Sequence, residues 1–212
     1  MAERQMTTVL SDVRADHRLR YEFAIHELQN RRCTGHVVDA GAGIGYGSHM
    51  LADHVETVTS IEISQEAHQV FLNHWAKGNI DYQCRDLLDP ALEISADAVV
   101  CFEFIEHVEF YDQAIERFAK WSDLLIISTP NELVRPHQQP PVNPFHFRHF
   151  TPKELKQLLS KHGFSIQSWH YQKSGAEPEI LPGTNGKFII AVATKRPFSF
   201  LRSARSALSK LK

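Results

Sequence analysis

The sequence predicts an α/β protein built on a doubly wound, mostly parallel sheet of seven strands with helices on both faces. Three observations lead to this prediction. The chain has 212 residues, 42% hydrophobic and 23% charged, as in an ordinary globular domain. Short β-rich runs alternate with helical stretches, which is typical of a parallel sheet. A glycine-rich turn follows the first run, where Rossmann-like folds bind nucleotides.

Each element follows from its own pattern. The predicted strands cover residues 36–40, 57–63, 80–84, 98–102, 124–128, 164–171 and 187–194. The predicted helices cover residues 11–30, 48–53, 64–76 and 112–120, and a last one lies between Thr151 and Gly163. The apolar face of the first helix is expected to consist of Ala15, Leu19, Phe23 and Leu28. Thr151 and Glu154 predict a capping box for the last helix.

One domain is predicted over residues 1–195, with a flexible start at residues 1–10. Residues 130–152 contain six of the ten prolines, so we expect a stiff loop that binds substrate or covers the site. Residues 196–212 form a basic amphipathic tail. Contact with a membrane surface is one interpretation of this tail, and a solvated or docked helix is the favoured one.

Charge and cysteine content narrow the function classes. The 23 basic and 25 acidic residues give a net charge of -2, which argues against a nucleic acid partner. Cys33, Cys84 and Cys101 include no C-x-x-C pair, which argues against disulfides or a thiolate zinc site and favours the cytoplasm. The first ten residues lack the apolar run of a signal peptide, and no stretch has the length of a membrane span. The sequence leaves the oligomeric state open.

The glycine-rich turn has the pattern D-x-G-x-G-x-G from Asp39 to Gly45. The dinucleotide fingerprint G-x-G-x-x-G is absent, because Tyr46 stands where its third glycine is needed. A carboxylate at Asp39 would repel a pyrophosphate and suit a cationic ligand. Glu62 follows near the end of the second strand, where a carboxylate can accept both hydroxyls of a ribose. The pattern therefore predicts a nucleoside that carries positive charge.

Together with Arg85-Asp86-Leu87 after the third strand, these residues resemble the class I S-adenosylmethionine-dependent methyltransferases over residues 30–195. The resemblance implies S-adenosyl-L-methionine as the cofactor. It also implies that the glycine turn contacts the aminoacyl end, that Glu62 holds the ribose and that Asp86 binds the adenine amine. The expected cofactor-binding residues are Asp39, Gly41, Gly43, Gly45, Glu62, Asp86 and Leu87.

Glu103, Glu106 and His107 follow the fourth strand at positions i, i+3 and i+4. This spacing places them on one face if the chain turns helical there. His107 could act as a general base that is oriented by a carboxylate. Alternatively, the three side chains could bind a divalent cation, Mg²⁺ or Mn²⁺, completed by His146 or His149. The ion would acidify a bound hydroxyl.

The E-x-x-E-H pattern resembles that of metal-dependent RNA-end 2′-O-methyltransferases and ubiquinone-pathway O-methyltransferases, and also that of relatives without a demonstrated metal. A third interpretation leaves only His107 near the acceptor, with Glu103 orienting backbone around the cofactor and Glu106 paired with an arginine. Residues 128–131 and 143–152 resemble methyltransferases of bacterial polysaccharide and secondary-metabolite pathways. This resemblance implies substrate contacts by Asn131, His146 and His149.

We therefore expect methyl transfer to a hydroxyl of a saccharide or another small molecule. The main rival is metal-dependent 2′-O-methylation of RNA 3′ ends, which the slightly acidic chain disfavours. A nucleoside-binding regulatory module without turnover is the other alternative. The intact Glu103, Glu106 and His107 argue against such a module.

Overall fold

The computed structural model describes residues 6–195, and the tail predicted at residues 196–212 lies outside this part. The described part contains five α-helices and eight strands. The helices are α1 (Ala15–Arg31), α2 (Tyr46–Leu51), α3 (Gln65–His74), α4 (Tyr111–Trp121) and α5 (Pro152–Lys161). The strands are β1 (His36–Ala40), β2 (Thr57–Glu62), β3 (Ile80–Cys84), β4 (Ala98–Phe102), β5 (Leu124–Pro130), β6 (Ser165–Gln172), β7 (Leu181–Pro182) and β8 (Phe188–Thr194). Two short 3₁₀ turns are Leu10–Asp12 and Ile105–His107.

The eight strands form one sheet in the order β3-β2-β1-β4-β5-β8-β6-β7. Strands β1 to β5 are parallel, and β8 runs antiparallel to both of its neighbours, β5 and β6. The prediction of a mostly parallel α/β sheet is confirmed, but the predicted count of seven strands is wrong. The additional strand, β7, has only two residues and pairs with His170 and Tyr171. Two residues are too few to produce a recognisable alternation in the sequence.

A hydrophobic layer covers each face of the sheet. On one face, Val38 and its neighbours in β4 and β5 pack with α4 and α5, including Phe118. On the other face, Val37 packs with α1 and α2, including Leu28 and Leu51. Adjacent strand residues point to opposite faces, so β1 and β4 must be apolar on both sides and read as continuous apolar runs.

Helix α1 departs from its prediction at its start and on its buried face. It begins at Ala15 and not at residue 11, because the preceding residues form a 3₁₀ turn. Its buried residues are Asp16, Arg20, Tyr21, Ala24, Ile25 and Leu28. Counting apolar residues alone missed the two charged members. Before the helix, the carbonyl of Thr7 accepts a 3.2 Å hydrogen bond from Trp75 Nε1.

The proline-rich segment between β5 and α5 is irregular, as predicted. Strand β5 continues through Pro130, two residues beyond its predicted end, because these residues still pair with β8. Pro152 is the first residue of α5, and the predicted capping box between Thr151 and Glu154 is present. Within residues 6–195, no helix combines the length and the apolar character that crossing a membrane requires.

Candidate active site

A cavity of about 810 Å³ lies at the carboxyl ends of β1, β2 and β4. Its size is that of a small-molecule site, and it lies where the strand order reverses between β1 and β4, as in other open α/β sheets. The predicted site residues that line it are Gly41, Gly43, Glu62, Asp86, Leu87, Glu103, Glu106, His107 and His146. Those outside its lining are Asp39, Gly45, Asn131 and His149.

The glycine turn after β1 forms one wall of the cavity. Gly41, Gly43 and Gly45 have φ angles of 76°, 55° and 89°, a region that favours glycine. A Cβ atom at Gly41 would overlap the ring of Phe104, and one at Gly45 would overlap the ring of Phe71. A Cβ atom at Gly43 would meet no atom within 4 Å. The Cα of Gly43 therefore borders open space, whereas Gly45 allows the turn to pack against α3.

Asp39 does not face the cavity, contrary to the prediction. It is fully buried, and its carboxylate accepts hydrogen bonds from Tyr21 Oη at 3.0 Å and from Ser48 Oγ at 2.6 Å. Burial raises the pKa of Asp39 to about 6, although these two hydrogen bonds oppose the rise, and the charge of Glu62 adds to it. Since one hydroxyl comes from α1 and the other from α2, Asp39 ties both helices to β1 and supports the glycine turn.

Glu62, Asp86 and Leu87 form the wall at the ends of β2 and β3. Glu62 is 6% exposed and accepts the N–H of Gly43 at 3.2 Å and that of Ser64 at 2.9 Å. Its carboxylate therefore connects the glycine turn to the start of α3. Asp86 accepts a backbone N–H of its own turn at 2.8 Å, and Leu87 is buried beside it. The predicted nucleoside residues thus lie on neighbouring strand ends in one cavity.

Glu103 and Glu106 have different surroundings, although they were predicted to converge. Glu103 has a φ of 49°, and its carboxylate accepts a 2.7 Å hydrogen bond from Ser128 Oγ. Glu106 is fully buried, and its Oε2 accepts from Thr129 Oγ1 at 3.2 Å. Its Oε1 has no hydrogen-bond partner within residues 6–195. Burial, and then the charge of Glu103, raises the pKa of Glu106 well above its ordinary value.

Glu106, His107 and His146 each bring one potential ligand atom within 4.8 Å of the others. The predicted ligand set is therefore changed. Glu103 is held at the end of β5 by Ser128, and the cluster does not include it. The remaining set of one carboxylate and two imidazoles can bind a metal ion, or it can act as a group of proton acceptors.

Hydrogen bonds determine which nitrogens of these histidines carry protons. His149 Nδ1 lies 2.7 Å from the carbonyl oxygen of Arg135, so it must donate to it. Burial lowers the pKa of His149, and it lowers that of His146 to about 3, so both rings are neutral near pH 7. His149 Nε2 then accepts from His146 Nδ1 at 2.7 Å, and Nε2 is the basic nitrogen of His146. His107 Nδ1 lies 3.0 Å from the carbonyl oxygen of Phe145, so it must donate to that oxygen.

Asn131 and His149 support the loop and do not line the cavity. Asn131 is fully buried, and its Nδ2 donates to the carbonyls of Thr184 at 2.9 Å and Gly186 at 3.0 Å. Its Oδ1 accepts the Leu133 N–H at 3.2 Å. The structure thus assigns Asn131 to joining the loop after β5 to the turn before β8, instead of the predicted substrate contact. His149, also predicted to contact substrate, lies behind His146.

Arg20 and Phe110 are among the lining residues that sequence reasoning missed. Arg20 is 1% exposed, whereas Phe110 is 55% exposed at the cavity entrance. The available signal for Arg20 was the i, i+4 spacing from Asp16, which favours an ion pair on one helix face. No local pattern marks Phe110 as a lining residue.

Comparisons with known proteins agree with this geometry. The family described as "Methyltransferase domain" matches residues 12–168. A probable S-adenosylmethionine-dependent methyltransferase of Mycolicibacterium smegmatis is 30% identical over 188 residues, which are 83% of this chain and 72% of that protein. A ubiquinone biosynthesis O-methyltransferase of Coxiella burnetii is 37% identical over 76 residues, which are 34% of this chain and 32% of that protein.

A solved structure supports the fold. The magnesium protoporphyrin IX methyltransferase of Synechocystis, solved with bound SAH, matches with a TM-score of 0.66 and 23% identity. The match covers 92% of this chain and 90% of that one. It therefore extends over nearly all of both chains.

Proposed function

The chain belongs to the S-adenosylmethionine-dependent methyltransferases, and we propose that it methylates a hydroxyl of a saccharide or another small molecule. The observation that carries this proposal is the position of His107, which shares one cavity with Glu62 and the glycine turn. The name of the Coxiella relative, an O-methyltransferase, supports an oxygen acceptor.

The cavity fits S-adenosylmethionine as the methyl donor. Gly43 borders open space, Glu62 offers a carboxylate for the ribose, and Asp86 lies at the end next to β3 for the adenine. When bound, the cofactor supplies an electrophilic methyl group on a sulfonium. The protein then has to align the acceptor and take up its proton.

His107 is the proposed proton acceptor. Its Nδ1–H donates to the Phe145 carbonyl, so its orientation is fixed and Nε2 is the nitrogen that would take up the proton. Phe145 and His107 both line the cavity. A hydroxyl positioned at this nitrogen would lose its proton to it as the new carbon–oxygen bond forms.

A bound cation is a second candidate mechanism for the same reaction, favoured by the Glu106, His107 and His146 cluster. The buried Glu106 Oε1 has no hydrogen-bond partner among the residues that the structure describes, which fits a cation ligand. One carboxylate with two imidazoles suits Mn²⁺ or another transition metal better than Mg²⁺, which prefers oxygen ligands. Such an ion would lower the pKa of a coordinated hydroxyl.

Aromatic side chains at the cavity entrance support a saccharide acceptor. Phe110 and Phe145 are 55% and 52% exposed, yet both line the cavity. Exposed aromatic rings at a site entrance offer flat apolar surfaces. The C–H faces of a sugar ring can pack on such surfaces while its hydroxyls reach the polar groups inside.

The proposal is tested by incubating the protein with S-adenosylmethionine labelled with ¹³C in the methyl group and a panel of saccharides and small hydroxylated compounds. The ¹³C chemical shift of the product identifies the methylated atom. We expect a methyl ether. Transfer to nitrogen or sulfur acceptors only would contradict the proposal.

The two mechanisms separate in the same assay after treatment with EDTA. If His107 acts as the base without metal, activity survives the chelator. If Glu106, His107 and His146 bind a required ion, EDTA abolishes activity and added Mn²⁺ restores it. For substitutions of the histidines in this cluster, His54→Gln is the control, because His54 is exposed and lies outside the cavity lining.

A further inference from the structure

Arg135, in the segment between β5 and α5, presents a positive charge to the cavity. Four arginines and no lysine line the cavity in the part of the chain that the structure describes. Three of these guanidinium groups are held by other side chains, namely those of Arg14, Arg20 and Arg85 by Asp16, Gln172 and Asp89, respectively. The guanidinium of Arg135 has no hydrogen bond or ion pair within residues 6–195. Its charge is therefore available to a ligand.

The backbone of Arg135 is fixed, although its side chain is not. Its N–H donates to the carbonyl of Asn131 at 2.8 Å, and its own carbonyl accepts from His149 Nδ1 at 2.7 Å. Asn131 is fully buried and bonded to the turn before β8. The side chain thus extends from a fixed point of the loop without holding the loop together.

Arg135 belongs to the acceptor side of the cavity. Burial lowers the pKa of His146 and of His149, and the charge of Arg135 adds to the lowering, so the guanidinium lies near both rings. The ring of His146 packs against that of His107, with centroids 4.5 Å apart. Arg135 follows β5, whereas the predicted donor residues follow β1 to β3, and β4 lies between them in the sheet. Its charge is therefore placed for the acceptor and not for the methyl donor.

The carboxylates in this region do not neutralise Arg135. Glu132 accepts a backbone N–H of its own loop at 2.8 Å. Glu103 and Glu106 are held by hydroxyl groups of β5, and Glu109 is exposed. None of these four carboxylates forms an ion pair with Arg135 within residues 6–195. An anion that pairs with Arg135 would therefore come from a ligand.

We propose that Arg135 binds an anionic group of the acceptor, a carboxylate or a phosphate, so that the acceptor is an acidic saccharide. The planar guanidinium donates two parallel hydrogen bonds to either group, and such charged pairs are among the stronger polar contacts in proteins. The anion and the reacting hydroxyl would belong to one molecule, because Arg135 and His107 line the same cavity. The inference rests on the proposed hydroxyl methylation, since it describes the acceptor of that reaction.

The test measures the binding of three sugars to the protein saturated with S-adenosylhomocysteine, by calorimetry. Methyl glucoside is neutral, methyl glucuronide carries a carboxylate, and glucose 6-phosphate carries a phosphate. We expect at least one of the two anions to bind about 10- to 100-fold more tightly than methyl glucoside. The anion that binds more tightly identifies the group that Arg135 recognises.

Substitutions of Arg135 assign this preference to its side chain. Arg135→Gln should reduce the preference to about twofold or less and leave the affinity for methyl glucoside unchanged. Arg135→Lys keeps the charge but loses the planar fork, so its preference should lie between the two. Lys153→Gln is the matched control, because Lys153 is exposed, carries the same charge and lies outside the cavity lining. This variant should keep the full preference.

Three results would overturn the proposal. The first is equal affinity of the wild-type complex for neutral and anionic sugars, or no measurable binding of either anion. The second is an unchanged preference in Arg135→Gln. The third is a single-stranded RNA that binds more tightly than both anions and depends on Arg135, which would assign the charge to an RNA phosphate.

The ¹³C transfer assay separates this inference from the proposed function. If the anions bind through Arg135 but no methyl ether forms on any sugar, the anion site stands and hydroxyl methylation is contradicted. If neutral and anionic sugars form methyl ethers with equal kcat/KM, hydroxyl methylation stands and the role of Arg135 is contradicted.

Discussion

The donor half and the acceptor half of the cavity are built from different kinds of structure. The donor half consists of the ends of β1 to β3 and a glycine turn, fixed by sheet pairing and by buried side chains such as Asp39 and Glu62. The acceptor half depends on the irregular segment between β5 and α5, which contributes Phe145 and His146. Strand ends are fixed by the whole sheet, whereas a loop can change without changing the fold. Under the proposed function, the fold therefore carries donor binding, and the loop carries acceptor choice.

The largest expected effect comes from His107 in the acceptor half. His107→Gln should lower the rate of methyl transfer by about 10² to 10⁴ if the imidazole accepts the proton. Steady-state kinetics with the acceptor found in the ¹³C screen measures this loss, and His54→Gln should behave as wild type. Full activity of the His107 variant would remove the chemical distinction between the two halves.

A second experiment sharpens the comparison through the stability of the donor half. The folded-state pKa of Asp39, about 6, lies above its ordinary value of 3.8, so the folded protein binds this proton more tightly than the unfolded chain does. The resulting stabilisation is complete below pH 3.8 and is lost as the pH rises through 6. Urea unfolding should show the free-energy difference between wild type and Asp39→Asn falling by about 2 kcal/mol between pH 4 and 7.

Asp53→Asn is the control for this measurement. A hydrogen bond from Lys77 lowers the pKa of the exposed Asp53. The Asp53 carboxylate therefore stabilises the fold above its ordinary pKa, and this stabilisation is lost as the pH falls. The pH dependence of the unfolding free energy thus has the opposite sign to that of Asp39. If the unfolding free energies of wild type and Asp39→Asn differ by the same amount at every pH, Asp39 is not a destabilised carboxylate in the folded protein.

The smallest effect is expected at His149, which positions His146 without lining the cavity. His149→Ala removes the acceptor for His146 Nδ1–H and should slow methyl transfer by about tenfold, as for other residues that orient a site imidazole. His149→Gln keeps an acceptor oxygen and should recover part of the rate. Equal rates for the two variants would limit His149 to a packing role, and unfolding curves of both check that the fold is retained.

The same contrast explains how far the sequence predicted the site. The glycine turn, Glu62 and Asp86 were predictable, because each follows a strand with a strong apolar pattern and strand ends share one edge of the sheet. The burial of Asp39 was not predictable, since its partners Tyr21 and Ser48 come from two different helices. A strand pattern shows where a residue lies along the chain and not which helix covers it.

In the acceptor half, prediction reached the residue types but not their arrangement. One predicted alternative joined His107 with His146 or His149, and the structure brings His107 and His146 together with Glu106. Asn131 and His149 have the same polar character, yet both are buried with backbone partners. Glu103 is separated from Glu106 because a left-handed backbone at Glu103 places its side chain against Ser128. Such turns depend on tertiary contacts, which spacing along the chain does not encode.

Calorimetric titration of S-adenosylhomocysteine into Glu62→Gln and His107→Gln tests the central claim that one cavity combines a donor half with a separate acceptor half. Glu62→Gln should weaken binding by about 10- to 100-fold, because a charged acceptor for the ribose hydroxyls is lost. His107→Gln should bind the ligand as the wild-type protein does. Unchanged binding in Glu62→Gln, or a comparable loss in His107→Gln, would contradict the division of the cavity.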